Sequence, residues 1–389
     1  MNSFIVILMA AAFLVAVALL WKNREDFSDD ISDKPEPEDN RVTPLLRGIN
    51  YLLSDRPDQA LQEMVHVAKI RSESAEVYMA LGEMFRAQGE YGRAVRIHQN
   101  LLARPDSSLD FNFQAYVSLG RDFQAGGLLD RALRHYGKAL AIQPDHLESL
   151  NACLRIREQS QEWEEAEWLV SRLEQIEGTS YHEHRAYLKS EMAKATLDAN
   201  DLDVAQSLIG QSLTLSPACT HAHLLNIELF IKEKKYSEAV EQAKLFFAQV
   251  KVEHHALLPR VLLAQTEFYQ QYAESLLMDM WKQHQDAELA VTWVENLSKI
   301  HSLEDGNNLK TKLKPKNLSL RHELRLLALD ETNDNLVQQA KHWRLVMKLY
   351  GCHHCGVQVR DVRWQCPKCN KWGSMEPLKT SQSFGEENA

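Results

Sequence analysis

The chain has 389 residues, 44% of them hydrophobic and 25% charged; this rules out global disorder and suits two or three domains or one long repeat array. Only 15 glycines are present and β-branched runs are few, so the composition leans towards helix. A formal net charge of −10 argues against nucleic acid as the main partner, because phosphate binding needs a basic face.

Residues Phe4 to Trp21 carry no charged side chain, and eighteen apolar residues in a helix span about 27 Å, close to the thickness of a bilayer core. Trp21 stands where an interfacial aromatic belongs. Lys22 and Arg24 follow it, whereas the three residues before the run include no cation. The pattern predicts an uncleaved transmembrane anchor over residues 1–21 rather than a signal peptide, with the rest of the chain on the cytoplasmic side. Residues 22–43 are polar, acidic and proline-containing, and read as a flexible tether.

From residue 44 a period near 34 governs the sequence. One unit carries Tyr78, Leu81, Gly82, Phe85, Gly89, Tyr91, Ala94, His98 and Leu101; the next carries Tyr116, Leu119, Gly120, Phe123, Gly127, Ala132, Tyr136, Ala139 and Pro144. This is the tetratricopeptide pattern, in which small residues let two helices approach and large ones fill the groove beside them. The small residue of the second helix recurs as Ala60, Ala94, Ala132, Ala166, Ala205, Ala239 and Ala273, at spacings of 34, 38, 34, 39, 34 and 34. The expected architecture is all-α: a tetratricopeptide superhelix over 44–283, then further helices or a cap over 284–349. Tyr78, Phe85, Tyr116 and Phe123 are expected to be packing residues. Such an array makes a protein partner the expectation without naming one.

Nothing in the sequence predicts an enzyme. There is no Gly-rich phosphate loop, no nucleophile elbow and no H-E-x-x-H. The 16 histidines are scattered, and His98, His135, His146, His184, His223 and the His254–His255 pair are expected to be solvated or to cap helices. Cys153 and Cys219 are isolated, and Cys153 takes an inward repeat position that suits an inert core thiol.

The C-terminus holds the chemistry. Cys352 and Cys355 form one C-x-x-C pair and Cys366 and Cys369 another, with ten residues between them. Two such turns can present four thiolates to one ion in a closed tetrahedral shell, with no position left for water. Gly356 and Asn370 occupy the positions after each pair where a left-handed residue is needed. A reducing cytoplasm disfavours disulfides, and His353 and His354 lie inside the turn, surplus to a complete shell. Iron and zinc both suit a tetrahedral sulfur site; the paired knuckles with Trp364 and Trp372 look rubredoxin-like, whereas the short spacer is closer to a zinc ribbon. The domain is expected over 350–379, with a tail over 380–389. Lys341 to Lys379 includes eight Lys and Arg against two Asp and Glu, and this basic ribbon is expected to fold back onto the acidic array.

Anchor, acidic tether, repeats and cysteine pairs together resemble the lipopolysaccharide assembly protein B family. The most specific segments are residues 89–102 (GEYGRAVRIHQNLL), 119–132 (LGRDFQAGGLLDRA) and 363–372 (RWQCPKCNKW). The resemblance implies a single-pass inner-membrane adaptor whose bulk faces the cytoplasm. It implies promotion of proteolysis of the committed-step lipid A deacetylase by a membrane AAA+ protease, under a membrane regulator that senses lipopolysaccharide supply. It also carries the family's metal ligands onto Cys352, Cys355, Cys366 and Cys369. The alternatives from other classes are a rubredoxin-like electron carrier and a zinc-ribbon nucleic-acid-binding protein; homo-oligomerisation stays open.

Overall fold

The computed structural model describes residues 75–103, 108–315, 318–330 and 334–378, with isolated positions between 47 and 63. The expected anchor (1–21), tether (22–43) and tail (380–389), and most of the first repeat, lie outside the described residues. Among the described residues no helix is long and apolar enough to cross a membrane. The chain divides into two compact units, 1–128 and 129–389, each taken by itself below.

In the first unit, α1 (Ala75–Ala87) packs on α2 (Tyr91–Leu102), and α2 on α3 (Leu109–Ala125). Leu81, Phe85 and Ala94 make the core between α1 and α2. Gly82 makes room for a histidine. A Cβ there would lie 2.3 Å from Nε2 of His98, so the imidazole fills the space a side chain would need. His98 in turn holds Asp122 of α3 through Nδ1 at 2.5 Å, and both side chains are fully buried. Arg86 reaches the same carboxylate at 3.5 Å. A buried imidazole thus fills this part of the core, held through Nδ1 by a carboxylate that Arg86 also reaches, while its Nε2 faces Gly82 without a hydrogen-bond partner.

The second unit continues with helix pairs α4 (Leu129–Ile142), α5 (Leu147–Gln159) and α6 (Trp163–Glu177), α7 (His182–Asp198) and α8 (Leu202–Leu215), and α9 (Thr220–Lys232) and α10 (Tyr236–Gln249). The repeating small residues do what their spacing implies: Ala60, Ala94, Ala132, Ala166, Ala205, Ala239 and Ala273 are all completely buried. The turns that reverse the chain need a left-handed residue. Gly89 and Gly127 supply it in two, and Gln161, Asn200 and Lys234 are held there in three more, at φ of 59°, 61° and 60°. Each turn is closed by the same backbone bond five residues back, as in Glu162 N–H to the Arg157 carbonyl at 2.9 Å.

After Gln249 the regular pattern breaks. A 3₁₀ turn (Val252–Leu257), α11 (Leu258–Leu262) and a π-helix (Tyr269–Ala273) lead into α12 (Glu274–His284). The seventh expected pair is therefore irregular. Three segments expected to be helical beyond it are α13 (Ala287–Ile300), α15 (Leu320–Leu327) and α16 (Asn335–Val346), with α14 (Leu303–Leu313) between the first two. One hydrophobic core runs from Leu224 to Leu326 around the fully buried Trp293, so residues 284–326 extend the same packed body. The seam between α13 and α15 is ionic: Glu288 and Glu295 face Arg321, His322 and Arg325, with Arg325 Nη2 on Glu295 at 2.6 Å and Arg321 Nη2 on Glu288 at 3.2 Å.

After the helical array comes a small sheet, the ribbon expected over 350–379. β1 (Tyr350–Cys352) lies between β2 (Gln358–Val359) and β3 (Met375–Pro377), antiparallel to both, with Tyr350 opposite Val359 and Pro377. Gln365 and Trp372 bridge the second knuckle.

Candidate metal centre

Each C-x-x-C pair closes on itself in the same way. The Gly356 amide donates to the Cys352 carbonyl at 2.9 Å, and the Asn370 amide to the Cys366 carbonyl at 3.0 Å. Both residues sit at positive φ, 73° and 57°, as the sequence predicts. The turns aim amides at sulfur: those of Lys368 and Cys369 lie 3.4 and 3.5 Å from Sγ of Cys366. Partial positive charge is therefore built in beside a thiolate.

The four sulfurs of Cys352, Cys355, Cys366 and Cys369 all lie within 4.8 Å of one another, and no other such cluster occurs among the described residues. Cys352 and Cys369 are 3.7 Å apart and Cys355 and Cys366 3.5 Å. A disulfide would need about 2.05 Å. The edge of a tetrahedron with metal–sulfur bonds of about 2.3 Å is roughly 3.8 Å. All four are free thiols at metal-site spacing, and the donor set suits iron or zinc. Cys352 and Cys369 are pushed in opposite directions. Burial raises the Cys352 thiol, but its hydrogen bonds with Ser374 and the knuckle amides outweigh it and bring it down to about 6. Cys369 is pushed up to about 12 by burial and by the sulfurs beside it. A single ion would relieve that conflict for all four. His353 and His354 are exposed, and Nδ1 of His353 lies 3.6 Å from Glu376, away from any role as ligand.

A ribbon of about thirty residues has no room to bury two tryptophans, and it places them on the repeats instead. Trp372 stacks on Tyr187 of α7 at 5.8 Å and 24°, and meets Trp163 of α6 edge-on at 6.1 Å. Its indole N–H donates to Oε1 of Glu158 on α5 at 2.9 Å, while Nε2 of Gln365 donates to Oε2 at 2.6 Å. His184 closes on the same carboxylate at 2.5 Å, so the buried acid has three partners. Trp364 lies flat on His221 of α9 at 4.7 Å and 17°. Burial, and secondarily the charge of Lys194, hold that imidazole down to about 3, hence neutral under the indole. At the other edge, Nε2 of His254 bonds the Met375 carbonyl at 3.2 Å, and Arg321 donates to the Leu378 carbonyl at 2.8 Å.

The ribbon thus folds back onto the array as expected, but by a different mechanism. Aromatic stacking and buried hydrogen bonds make the contact. An ion pair at the seam has the reverse sign, Lys251 of the array on Glu376 of the ribbon at 3.0 Å. Arg363, Lys368 and Lys371 stay in solvent. The expectation for the histidines also needs correction: His98, His223, His254 and His255 are buried, each with a hydrogen bond, whereas His146 caps a helix as expected. Periodicity cannot separate a buried, partnered histidine from a solvated one, because burial of the ring is decided by the helices packed around it; the partners of His98 and His254 also lie 24 and 121 residues away. Cys153 matches its expectation, with burial pushing its thiol up to about 11. Glu158, Tyr187 and His221 were invisible as docking residues, though two tryptophans in so small a domain signal that some surface must receive them.

Fold and site together define a tetratricopeptide-type helical array carrying a C-terminal four-cysteine metal ribbon. Residues 350–377 match the rubredoxin metal binding domain and residues 77–110 a tetratricopeptide repeat. Along most of its length the chain is similar to proteins named lipopolysaccharide assembly protein B. It is 25% identical to lipopolysaccharide assembly protein B of Escherichia coli K12, covering 88% of this chain and 92% of that one. Against the Haemophilus influenzae protein of the same name it is 25% identical over 95% of this chain and 97% of that one. A solved tetratricopeptide repeat protein from Parabacteroides merdae covers 70% of this chain and 97% of its own at 13% identity, with a TM-score of 0.33, too loose a likeness to transfer geometry.

Proposed function

We propose that this chain is a non-enzymatic adaptor that regulates lipopolysaccharide biosynthesis. The observation that carries the reading is the ribbon seated on helices α5, α6, α7 and α9 of the array, in a chain similar over about nine-tenths of its length to proteins named for lipopolysaccharide assembly. Cys352, Cys355, Cys366 and Cys369 hold one metal ion, iron or zinc. A closed four-sulfur shell makes that ion structural: it fixes the knuckles that present Trp364 and Trp372. The apolar run Phe4–Trp21 anchors the chain in the inner membrane, and the repeats offer the partner-binding surface on the cytoplasmic side. In this reading the adaptor brings the committed-step lipid A deacetylase to a membrane AAA+ protease and is itself restrained by a membrane regulator of lipopolysaccharide supply.

The test is the half-life of the deacetylase after this chain is depleted. A longer half-life with lipopolysaccharide overproduction supports the reading, and an unchanged half-life ends it.

A further inference from the structure

α16 (Asn335–Val346) lies just before the ribbon and is amphipathic in an unusual sense. Its inner face is conventional, with Val337 and Ala340 buried. Its outer face carries Leu336, Trp343 and Val346, which are 63%, 53% and 53% exposed and share one side of the helix at i, i+7 and i+10. Leu345, also 60% exposed, stands on the other side of the helix, about 180° from Leu336. The helix contains no acidic residue after its Asp334 cap. Cations gather at its C-terminal end: Nη1 of Arg360 donates to the Leu345 carbonyl at 3.0 Å, and Lys348 is exposed two residues past Val346. Only two acids stand among the eight basic residues from 341 to 379 in a chain of net charge −10.

We infer that the outer face of α16 binds an anionic lipid surface, lying in the headgroup region with Trp343 inserted and Lys348 and Arg360 on lipid phosphates. The occupant follows from the chemistry. Large apolar side chains spread along one helix flank, an aromatic with a polar N–H among them, and cations at the rim are what an interfacial helix requires. The opposite charge of an anionic leaflet complements that rim. The surface is independent of the cysteine cluster and of the docked tryptophans. It deepens the membrane-tethered reading: an anchor that holds the body near the bilayer raises the local concentration at which a weak lipid-binding face is occupied.

The experiment uses the intact chain in vesicles of phosphatidylcholine alone or of phosphatidylcholine with phosphatidylglycerol. Amide exchange over residues 335–349 is expected to slow roughly tenfold in the anionic vesicles and to recover in high salt. Lipids brominated near the headgroup should quench an emission component that Trp343→Phe removes. The doubly substituted Leu336→Ser, Trp343→Ser chain changes only exposed positions, and should keep its metal and helices while losing the protection. Equal exchange in both vesicle types overturns the inference, and so does protection that grows with protein density, which would mean that a second copy covers the face. Resistance to alkaline carbonate scores the anchor separately: a chain that washes off yet shows charge-dependent protection upholds the α16 face and sinks the anchor.

Discussion

The indole N–H of Trp372 and the carboxylate of Glu158 meet at 2.9 Å across 214 residues of sequence, and this bond joins the metal ribbon to the repeat array. Glu158 is otherwise a buried acid on the face of α5, and Trp372 would otherwise be an exposed indole. Each removes the other's cost of burial.

Trp372→Ala should undock the ribbon. The substitution removes a large buried ring and leaves Glu158 short of a donor, for a loss of about 3–5 kcal/mol. Limited proteolysis should then cut within 350–378 while the array resists. Gly373→Ala should act in the same direction, because a Cβ there would lie 2.8 Å from the Tyr187 ring on a backbone already at φ 62°. A ribbon that stays protected in both variants would show that the docking does not depend on this contact.

Metal removal should be local. In Cys366→Ser, or after strong chelation, elemental analysis should fall from one ion per chain to none, and amide exchange over 350–378 should rise to that of an open chain. Helical circular dichroism should persist, since the array has its own core. The same elemental measurement on the untreated protein identifies iron or zinc. Retention of the ion in the variant would remove Cys366 from the ligand set.

Two glycine-to-alanine changes should differ in sign. Gly82→Ala drives a methyl into His98, which Asp122 holds from the other side, and should cost about 1–3 kcal/mol. Gly137→Ala, on an exposed face of α4 with open space around it, should gain about 0.5–1 kcal/mol from helix propensity. Urea midpoints of the two variants check the pair, and equal effects would mean that His98 can move aside.

Stability should fall in acid partly through Glu288. Burial pushes its carboxyl up, but Arg325, His322 and Arg321 outweigh that and hold it far below its ordinary value of 4.5. A depressed folded value means that the contribution is complete above the unfolded value and is lost as pH falls below about 4.5. Glu288→Gln should therefore lower Tm near neutral pH and flatten its decline between about pH 5 and 3. Arg325→Met should cost about 3 kcal/mol at neutral pH, because it takes from Glu288 and Glu295 the one guanidinium they share and leaves Arg321, His322 and Arg344 to pair them. Thermal unfolding across that pH range measures both.

The two C-x-x-C pairs, the left-handed Gly356 and Asn370, and the seven buried alanines were all legible from the chain, because each depends on partners at fixed short spacing or on a repeating period. Close approach of two helices permits only a small residue, whatever else surrounds it, so the alanine spacing survives in the sequence. The left-handed turns were only half legible: Gly89 and Gly127 announce them, while Gln161, Asn200 and Lys234 are held in the same conformation by the helices on either side. Tertiary structure alone decided which polar residues are inside. His98 with Asp122, His254 with Met375, and Glu158 with Trp372 are separated by 24, 121 and 214 residues, and one sequence carries no mark of such pairings. Burial of a polar group is tolerated only where a partner arrives, and where the partner arrives is a property of the fold.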